Sequence, residues 1–457
     1  MFFCFWFGSI LFLKEKVAFL IFVFCFLVFV AYKVLNYFLN KNNKSLKGSF
    51  FTLIFKSTTD FLKFLALSCF FIFLGFFLSK KDFSKRYLEN HVFNFSGNLT
   101  FSGKVEDVCK KIDKEELVVS KIEVDGKKVF GKVVVNKFLY PEVKKYETLL
   151  FKCNLRRIES LANNDSYEKY LNSKGIFLTC SYPEISLIKG PSKIEQIFLD
   201  VRNSFLKRVK KIFPEPSSTI ISGLTIGEES GITRSLKESF QKSGLSHILV
   251  VSGSNISLLI SFLDSVLANF IQRKKRVYFL IFLSLFYAAI VGFEPPTIRA
   301  VFLAIVASFG KSIGREVDLM RVLFLFGLLF SILNPLSLSY NISFQLSFFA
   351  SFGIVAFSEN LKKLFKPLGE TFSEIFSTTL SAQISVIPLS SILFQNFKIL
   401  ETILSNLLVL WIVPIATVLG FLIVSLSFFS LKISIFVGFF EWVIISWIIF
   451  VARIFDF

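Results

Sequence analysis

Histidine is almost absent from this chain: only His91 and His247 occur in 457 residues. That excludes a histidine-rich metal centre, because catalytic zinc and non-haem iron sites draw two or three imidazoles. Cysteine is scarce too. Cys4, Cys25 and Cys69 lie in apolar runs, where a thiol acts as a small core residue. Cys109, Cys153 and Cys180 share the one large polar region, at a spacing that fits no zinc motif. If that region lies outside the cytoplasm, two of the three can pair and leave one over. No acidic run resembles a two-metal nuclease. Gly310-Lys-Ser312 imitates the end of a phosphate-binding loop, but position 305 is isoleucine where that motif needs glycine. The opening Met1–Leu13 is apolar from its first residue and lacks the positive start of a signal peptide.

Apolar sequence is abundant instead. Hydrophobic residues make up 53% of the chain, 63 residues are phenylalanine, and the excess sits in long runs. No soluble fold of this length needs so much apolar surface, so the composition reads as a polytopic α-helical membrane protein. Runs at about 2–13, 17–39 and 61–79 make an N-terminal membrane segment, residues 1–79. Between 80 and 193 the character changes. Short β-patterned stretches such as 117–124 and 129–135 alternate with polar turns, and about five of them suggest a small closed barrel of the oligonucleotide-binding (OB-like) type. Asp165–Leu171 reads as a helical turn before a strand at 175–180. Residues 194–245 read as amphipathic helices, with Ile197, Val201, Phe205 and Val209 recurring every fourth position among lysines and arginines. Such a helix either lies on the membrane surface or packs on the bundle.

From 246 to 457 the chain is almost wholly membrane. Candidate spans fall at about 246–270, 277–293, 297–313, 322–334, 341–358, 374–394 and 431–453. The run 399–429 is too long for a straight pass and contains Pro414, which marks two short spans or one broken one. Loops rich in Lys and Arg (273–276, 311–321, 362–366) alternate with loops nearly devoid of them (294–296, 334–341). By the positive-inside rule the former are cytoplasmic, and the alternation puts the β-rich domain outside the cytoplasm.

The net charge of +19 has three sources to weigh: cytoplasmic loops, a lysine-rich background, and a polyanionic ligand such as DNA. Roughly half of it falls between Lys80 and Lys211. Barrels that bind single strands combine such charge with aromatic platforms, for which Tyr140, Tyr146 and Phe151 are candidates; most barrel aromatics simply fill the interior. Within the spans, Asp264, Glu294, Arg299, Gln345, Gln383, Glu401 and Asn406 bring polar groups to membrane depth, and Glu374, Thr378, Ser381 and Ser385 recur on one helical face. Arg299, just after Pro295-Pro296, is placed to meet phosphates or to pair with Glu294 or Asp264. A helix continued through 244–267 would carry His247, Ser254, Ser261 and Ser265 on one face, with Leu249, Ile256, Ile260, Leu263 and Leu267 opposite. His247 and Ser252 are five residues apart, which points them apart on one helix, and no Gly-x-Ser-x-Gly surrounds the serine. An intramembrane hydrolase is therefore the weakest reading.

Several motifs stand in a recognisable order: Gly223-Leu-Thr-Ile-Gly-Glu228, Phe240-Gln-Lys-Ser-Gly-Leu-Ser-His-Ile-Leu-Val-Val-Ser-Gly-Ser-Asn255, Gly292-Phe-Glu-Pro-Pro-Thr-Ile-Arg-Ala300, Asn334-Pro335 and Ser343-Phe-Gln-Leu-Ser-Phe348. Asp165–Ile176 adds a match in the polar domain. In these the chain resembles the ComEC family of competence proteins, inner-membrane channels for DNA uptake. The resemblance implies that one DNA strand is captured by the outer barrel and passed to a channel in the helical domain. It places His247, Ser252, Asn255, Arg299 and Gln345 in or near the path. It implies no cofactor. Many members also carry a metallo-β-lactamase-like domain, whose His-x-His-x-Asp-His motif is absent here, and no motor motif occurs. Nuclease, DNA receptor and cytoplasmic motor would then be separate partners. The competing reading is a transporter of a smaller anion or of lipid built on the same bundle.

Overall fold

The computed structural model describes residues 91–110, 114–158, 165–249, 253–334, 340–393 and 398–455. The apolar runs at 2–13, 17–39 and 61–79 lie outside the described residues.

Seven strands form the β-rich part: β1 (Gly97–Lys110), β2 (Glu115–Val124), β3 (Lys127–Val129), β4 (Lys132–Lys137), β5 (Thr148–Arg157), β6 (Ile176–Ser181) and β7 (Glu184–Lys189). The order β1-β2-β4-β6-β5 closes on itself because β5 also pairs with β1. Closure removes the open edges a small sheet would otherwise expose. All the ring pairings are antiparallel except β4 with β6. That parallel pair needs a crossover, and helix α1 (Asp165–Ser173) lies in the connection before β6. Alternation fills the barrel: in β2 every second residue from Glu115 to Val119 is buried, and Phe101 stacks on Phe151 at 5.2 Å inside. Two features hold the ring beyond its core, and a third ties off the helix that follows. Lys137 and Glu115 form a fully buried ion pair at 2.7 Å across the β2–β4 ladder. A disulfide joins Cys153 on β5 to Cys180 on β6, while Cys109 lies exposed on β1. Ser192 and Glu195 make a reciprocal capping box at the next helix.

The helical part follows. Helices α2 (Lys193–Ile212), α3 (Ser217–Ile226) and α4 (Arg234–Lys242) lead into α5 (Gly253–Leu267), α6 (Arg273–Val291), α7 (Pro295–Ser312), α8 (Leu319–Leu333), α9 (Ile342–Phe365), α10 (Glu370–Leu393), α11 (Ile399–Val409), α12 (Val413–Leu426) and α13 (Leu431–Ile454). Helices α9, α13 and the stretch Phe372–Leu393 of α10 are long and apolar enough to cross a membrane. The pair α11–α12, bent by 45° at residues 410–412, makes a fourth if counted as one span. Pro414 stands in the first turn of α12, where its missing N–H leaves no helical bond unmade, so the break falls just before it. Of the other expected spans, 246–270 shrinks to the 15 residues of α5, whereas α6, α7 and α8 run to 19, 18 and 15 residues, slightly longer than expected. Fifteen residues, as in α5 or α8, reach about 22 Å, less than a bilayer's hydrocarbon core.

Two expectations for the connecting region change. Helix α2 packs only its C-terminal half, through Phe205 and Val209, into the core it shares with α3, α12 and α13; Ile197 and Val201 remain exposed. Helix α3 is not amphipathic, since every one of its residues is buried. Its hydroxyls survive burial by donating back one turn, Ser222 to the Ser218 carbonyl and Thr225 to that of Ile221.

Candidate functional site

Helix α5 does not extend back through His247. Gly244 adopts a left-handed conformation (φ +74°) and ends α4, and residues 246–248 form a single tight turn before the chain reaches Gly253. Helix α11 holds this connection: Ser405 donates to the Ser243 carbonyl at 2.6 Å, and a side chain at Gly244 would collide with Thr402. On the turn, the exposed His247 has Nδ1 3.2 Å from the Gly244 carbonyl, which the Nδ1–H tautomer satisfies. Ser252 lies outside the described residues.

Three helices begin at one place. Gly253 opens α5, and the guanidinium of Arg299, one turn into α7, lies against it; a Cβ at Gly253 would overlap that guanidinium. Arg299 donates through Nη1 to the Ser347 carbonyl near the start of α9. Gln345, buried, belongs to the first turns of the same helix, and Asn341 caps it by accepting from the Phe344 N–H at 3.1 Å. Asn255 lies in the first turn of α5. The structure therefore brings together Arg299 and the helix starts that carry Asn255 and Gln345. Each N-terminus is the positive end of a helix dipole, so the junction combines three such ends with a guanidinium, although α7 opens on Pro295-Pro296, which carry no N–H, and Asn341 caps α9. Anions, phosphate above all, suit such a place.

Arg299 pairs with neither carboxylate considered for it. Asp264 pairs with Arg276 at 2.5 Å, at the far end of α6 from the junction. Glu294 lies near Lys174 of the barrel instead. Burial alone would pull the Lys174 ammonium down, but the Glu294 carboxylate and Tyr170 outweigh it and hold it above its ordinary value. The loop between α6 and α7 that carries Glu294 therefore lies within electrostatic reach of the barrel. Helix α6 carries Arg273–Arg276 at its other end, about 28 Å away. A second tie joins barrel and bundle: Lys104 of β1 meets Glu195 of α2 at 2.5 Å. Burial pushes the Glu195 carboxyl up, yet Lys104 and the Ser192 cap outweigh that and keep it below the usual range. Glu228, after α3, behaves alike. Burial is outweighed by the Ser230 N–H and by Arg202, 2.8 Å away.

The three barrel aromatics part company. Tyr140 is 81% exposed, Tyr146 lies with Lys104 and Lys145 each about 5.7 and 5.6 Å from its ring, and Phe151 is wholly inside the barrel core. Phe151 thus has no face for a base to stack on, because its position alternates inward in β5. Two residues not anticipated complete an exposed patch with Tyr140. The rings of Phe138 and Tyr182 lie tilted against each other at 4.4 Å and, with Lys137 and Pro141, line one shallow groove. The signal for them existed: both are aromatics just past a strand end, Phe138 after β4 and Tyr182 after β6, the latter directly before Pro183, where side chains leave the pleat.

No group of three or more His, Cys, Asp and Glu side chains able to hold a metal occurs among the described residues.

Comparison with known proteins adds an independent line. A family model described as "Competence protein" matches residues 224–457, just over half of the chain. The ComE operon protein 3 of Bacillus subtilis (strain 168) is 24% identical over 290 residues, covering 62% of this chain and 36% of that protein. The match thus spans little more than a third of that relative's length. No solved structure matches.

Proposed function

Because the chain belongs to the competence protein family, we propose that it is a membrane channel that carries single-stranded DNA into the cytoplasm during natural transformation. The observation that carries this reading is the junction of three helix N-termini around Arg299, next to the Glu294 loop that the barrel's Lys174 senses electrostatically. A phosphate chain leaving a cationic barrel meets there a positive, hydrogen-bonding mouth that offers attraction without a deep trap. The exposed trio Phe138, Tyr140 and Tyr182 and the lysine-flanked Tyr146 are the surfaces on which bases would stack. His247, Ser252, Asn255 and Gln345 belong to the path below the mouth. The sidedness is that of the loop charges: barrel and Glu294 loop outside, Arg273–Arg276 inside. Membrane lipids surround the bundle. A nuclease, a receptor for duplex DNA and a cytoplasmic motor are the partners this reading calls for.

The test is entry of labelled DNA into cells whose only copy of the protein is wild type, deleted, or Arg299→Ala. Deletion abolishes entry, and Arg299→Ala lowers it about 100-fold, the loss of one charge-assisted contact in a poorly hydrated site. Normal entry in the deletion strain removes the function. Normal entry with Arg299→Ala moves the mouth elsewhere. With full-length protein in lipid discs, Tyr140→Ala weakens binding of a short single strand by about 1–3 kcal/mol, and affinity falls as salt rises. Transport of a smaller anion predicts no such binding.

A further inference from the structure

Glu441 lies midway along α13, in the most apolar of the long helices, and is 0% exposed. Neither of its carboxyl oxygens has a hydrogen-bond partner among the described residues. Its neighbours on the same face are Gly438, which faces Ile212 and Phe213 of α2, and Ile445, in the core shared with α3, α4, α11 and α12. The register of the α12–α13 hairpin fixes its height. The chain turns between Leu426 and Leu431, and Trp447 donates to the Leu408 carbonyl of α11 at 3.2 Å. In an antiparallel pair those two points bring Glu441 level with the first turn of α12, beside the break at 410–412.

Among the described residues no cation comes to meet it. Helices α3 and α12, both packed on α13, contain no ionisable residue. On α2, Arg202 is engaged by Glu228 and by the Ile226 and Ile290 carbonyls, and Arg208 by Ser427 and the Phe428 ring. Lys193, Glu195 and Asp200 lie at the helix's distant start, and Lys207, Lys210 and Lys211 are exposed. On α4, Arg234 pairs with Glu238 and Lys237 with Glu229, while Lys242 is exposed. On α11, Glu401 pairs with Lys398. Lys432 and Arg453 of α13 itself are exposed at its two ends.

A charged carboxylate in such a place would be neither solvated nor paired, so this packing accommodates the neutral acid. We propose that Glu441 is a proton-binding site whose occupancy is tied to the packing of α13 against the broken helix pair α11–α12. When the break opens, water reaches the carboxyl, the O–H bond breaks, and the proton passes to that water. The carboxylate left behind is stabilised by water and by the free N–H groups of the first turn of α12. Repacking requires a proton to return. Since α11 also fastens Ser243 and Gly244 ahead of α5, opening at the break reaches the Arg299 junction. This inference is independent of what crosses the membrane.

The experiment compares wild type, Glu441→Gln and Glu441→Leu, each full length in lipid vesicles. Both variants assemble and melt no lower than wild type, because the carboxyl makes no structural bond. Infrared difference spectra at neutral pH show, in wild type minus Glu441→Gln, the carbonyl band of one protonated carboxylic acid. Tryptophan emission reads the break, because Trp411 and Trp447 both donate to the Leu408 carbonyl. It shifts in wild type as pH is raised from acid to alkaline and stays flat in Glu441→Gln. Absence of the infrared band, an emission titration unchanged by Glu441→Gln, or unfolding of both variants each overturns the proposal.

Discussion

The barrel and the bundle bury polar groups in opposite ways. Inside the barrel the one buried cation among the described residues, Lys137, meets Glu115 at 2.7 Å, and the core around it is valine, leucine, isoleucine and phenylalanine with the disulfide's Cys180. The bundle instead spreads single hydroxyls and amides along its helix contacts. Many donate to their own helix, as Ser284 does to the Leu280 carbonyl and Thr417 to that of Val413. Others, among them the Ser381 and Ser385 hydroxyls and both ends of the Gln383 amide, have no hydrogen-bond partner among the described residues. Ser381 and Ser385 are small where Gly353 of α9 presses on α10, so their first role is steric: they let two long helices approach. A closed barrel must settle its polar atoms internally to be stable. A bundle that opens for a substrate can keep polar atoms in reserve for the hydrated state.

Glu115→Ala gives the largest effect this contrast predicts. It strands the buried Lys137 ammonium and lowers stability by about 3–5 kcal/mol, whereas Glu115→Leu with Lys137→Met restores it or better. Denaturant unfolding of the full chain, followed by barrel-specific proteolysis, separates these results. If the double variant is as weak as the single one, the pair does more than neutralise itself. Next, replacing Cys153 and Cys180 by alanine frees a loop of 27 residues and costs about 3.5 kcal/mol by chain entropy, again in the barrel alone. A matching loss in the bundle would mean the two parts unfold together.

A smaller effect concerns the seam between the two regions. Glu195 and Glu228 have carboxyls held below their ordinary value of 4.5. Their contribution is therefore present above that value and is lost as pH falls through it and below. The melting temperature of wild type drops more steeply on acidification than that of Glu195→Gln with Glu228→Gln; parallel curves would remove the seam's role. The smallest effect is expected in the bundle. Ser381→Ala with Ser385→Ala removes hydroxyls that make no bond, so stability changes by less than about 0.5 kcal/mol or rises. A loss near 2 kcal/mol would show that the bundle binds its polar atoms as tightly as the barrel does.

Much of this organisation is written in periodicity. The alternation of 117–124 and 129–135 appears as β2 and the β3–β4 region, the helical turn at Asp165 as α1, and the interruption near Pro414 as the bend between α11 and α12. A partner for Cys153 was not legible, because three cysteines in one region allow several pairings until strand neighbours are known. Inward and outward also escaped at Phe151, since every β-strand aromatic looks alike until the ring closes. The stripe expected on a helix through His247 failed for a local reason: Gly244 turns the chain before α5 begins. Glu441 drew no notice among the polar groups at membrane depth, because a single acid in an apolar run looks like a helix-end charge until packing shows it dry.

What the amino-acid order determined by itself is the class of material: apolar runs that demand lipid, an alternating polar insert that closes into a barrel, and cations sorted among loops. These follow from local periodicity and from the cost of placing charge in hydrocarbon, which act residue by residue. Tertiary structure alone decided that three helices start around Arg299, that Glu294 lies within electrostatic reach of a barrel lysine, and that Glu441 has no counter-charge among the described residues. Such facts depend on which distant segments meet, and no local pattern encodes that.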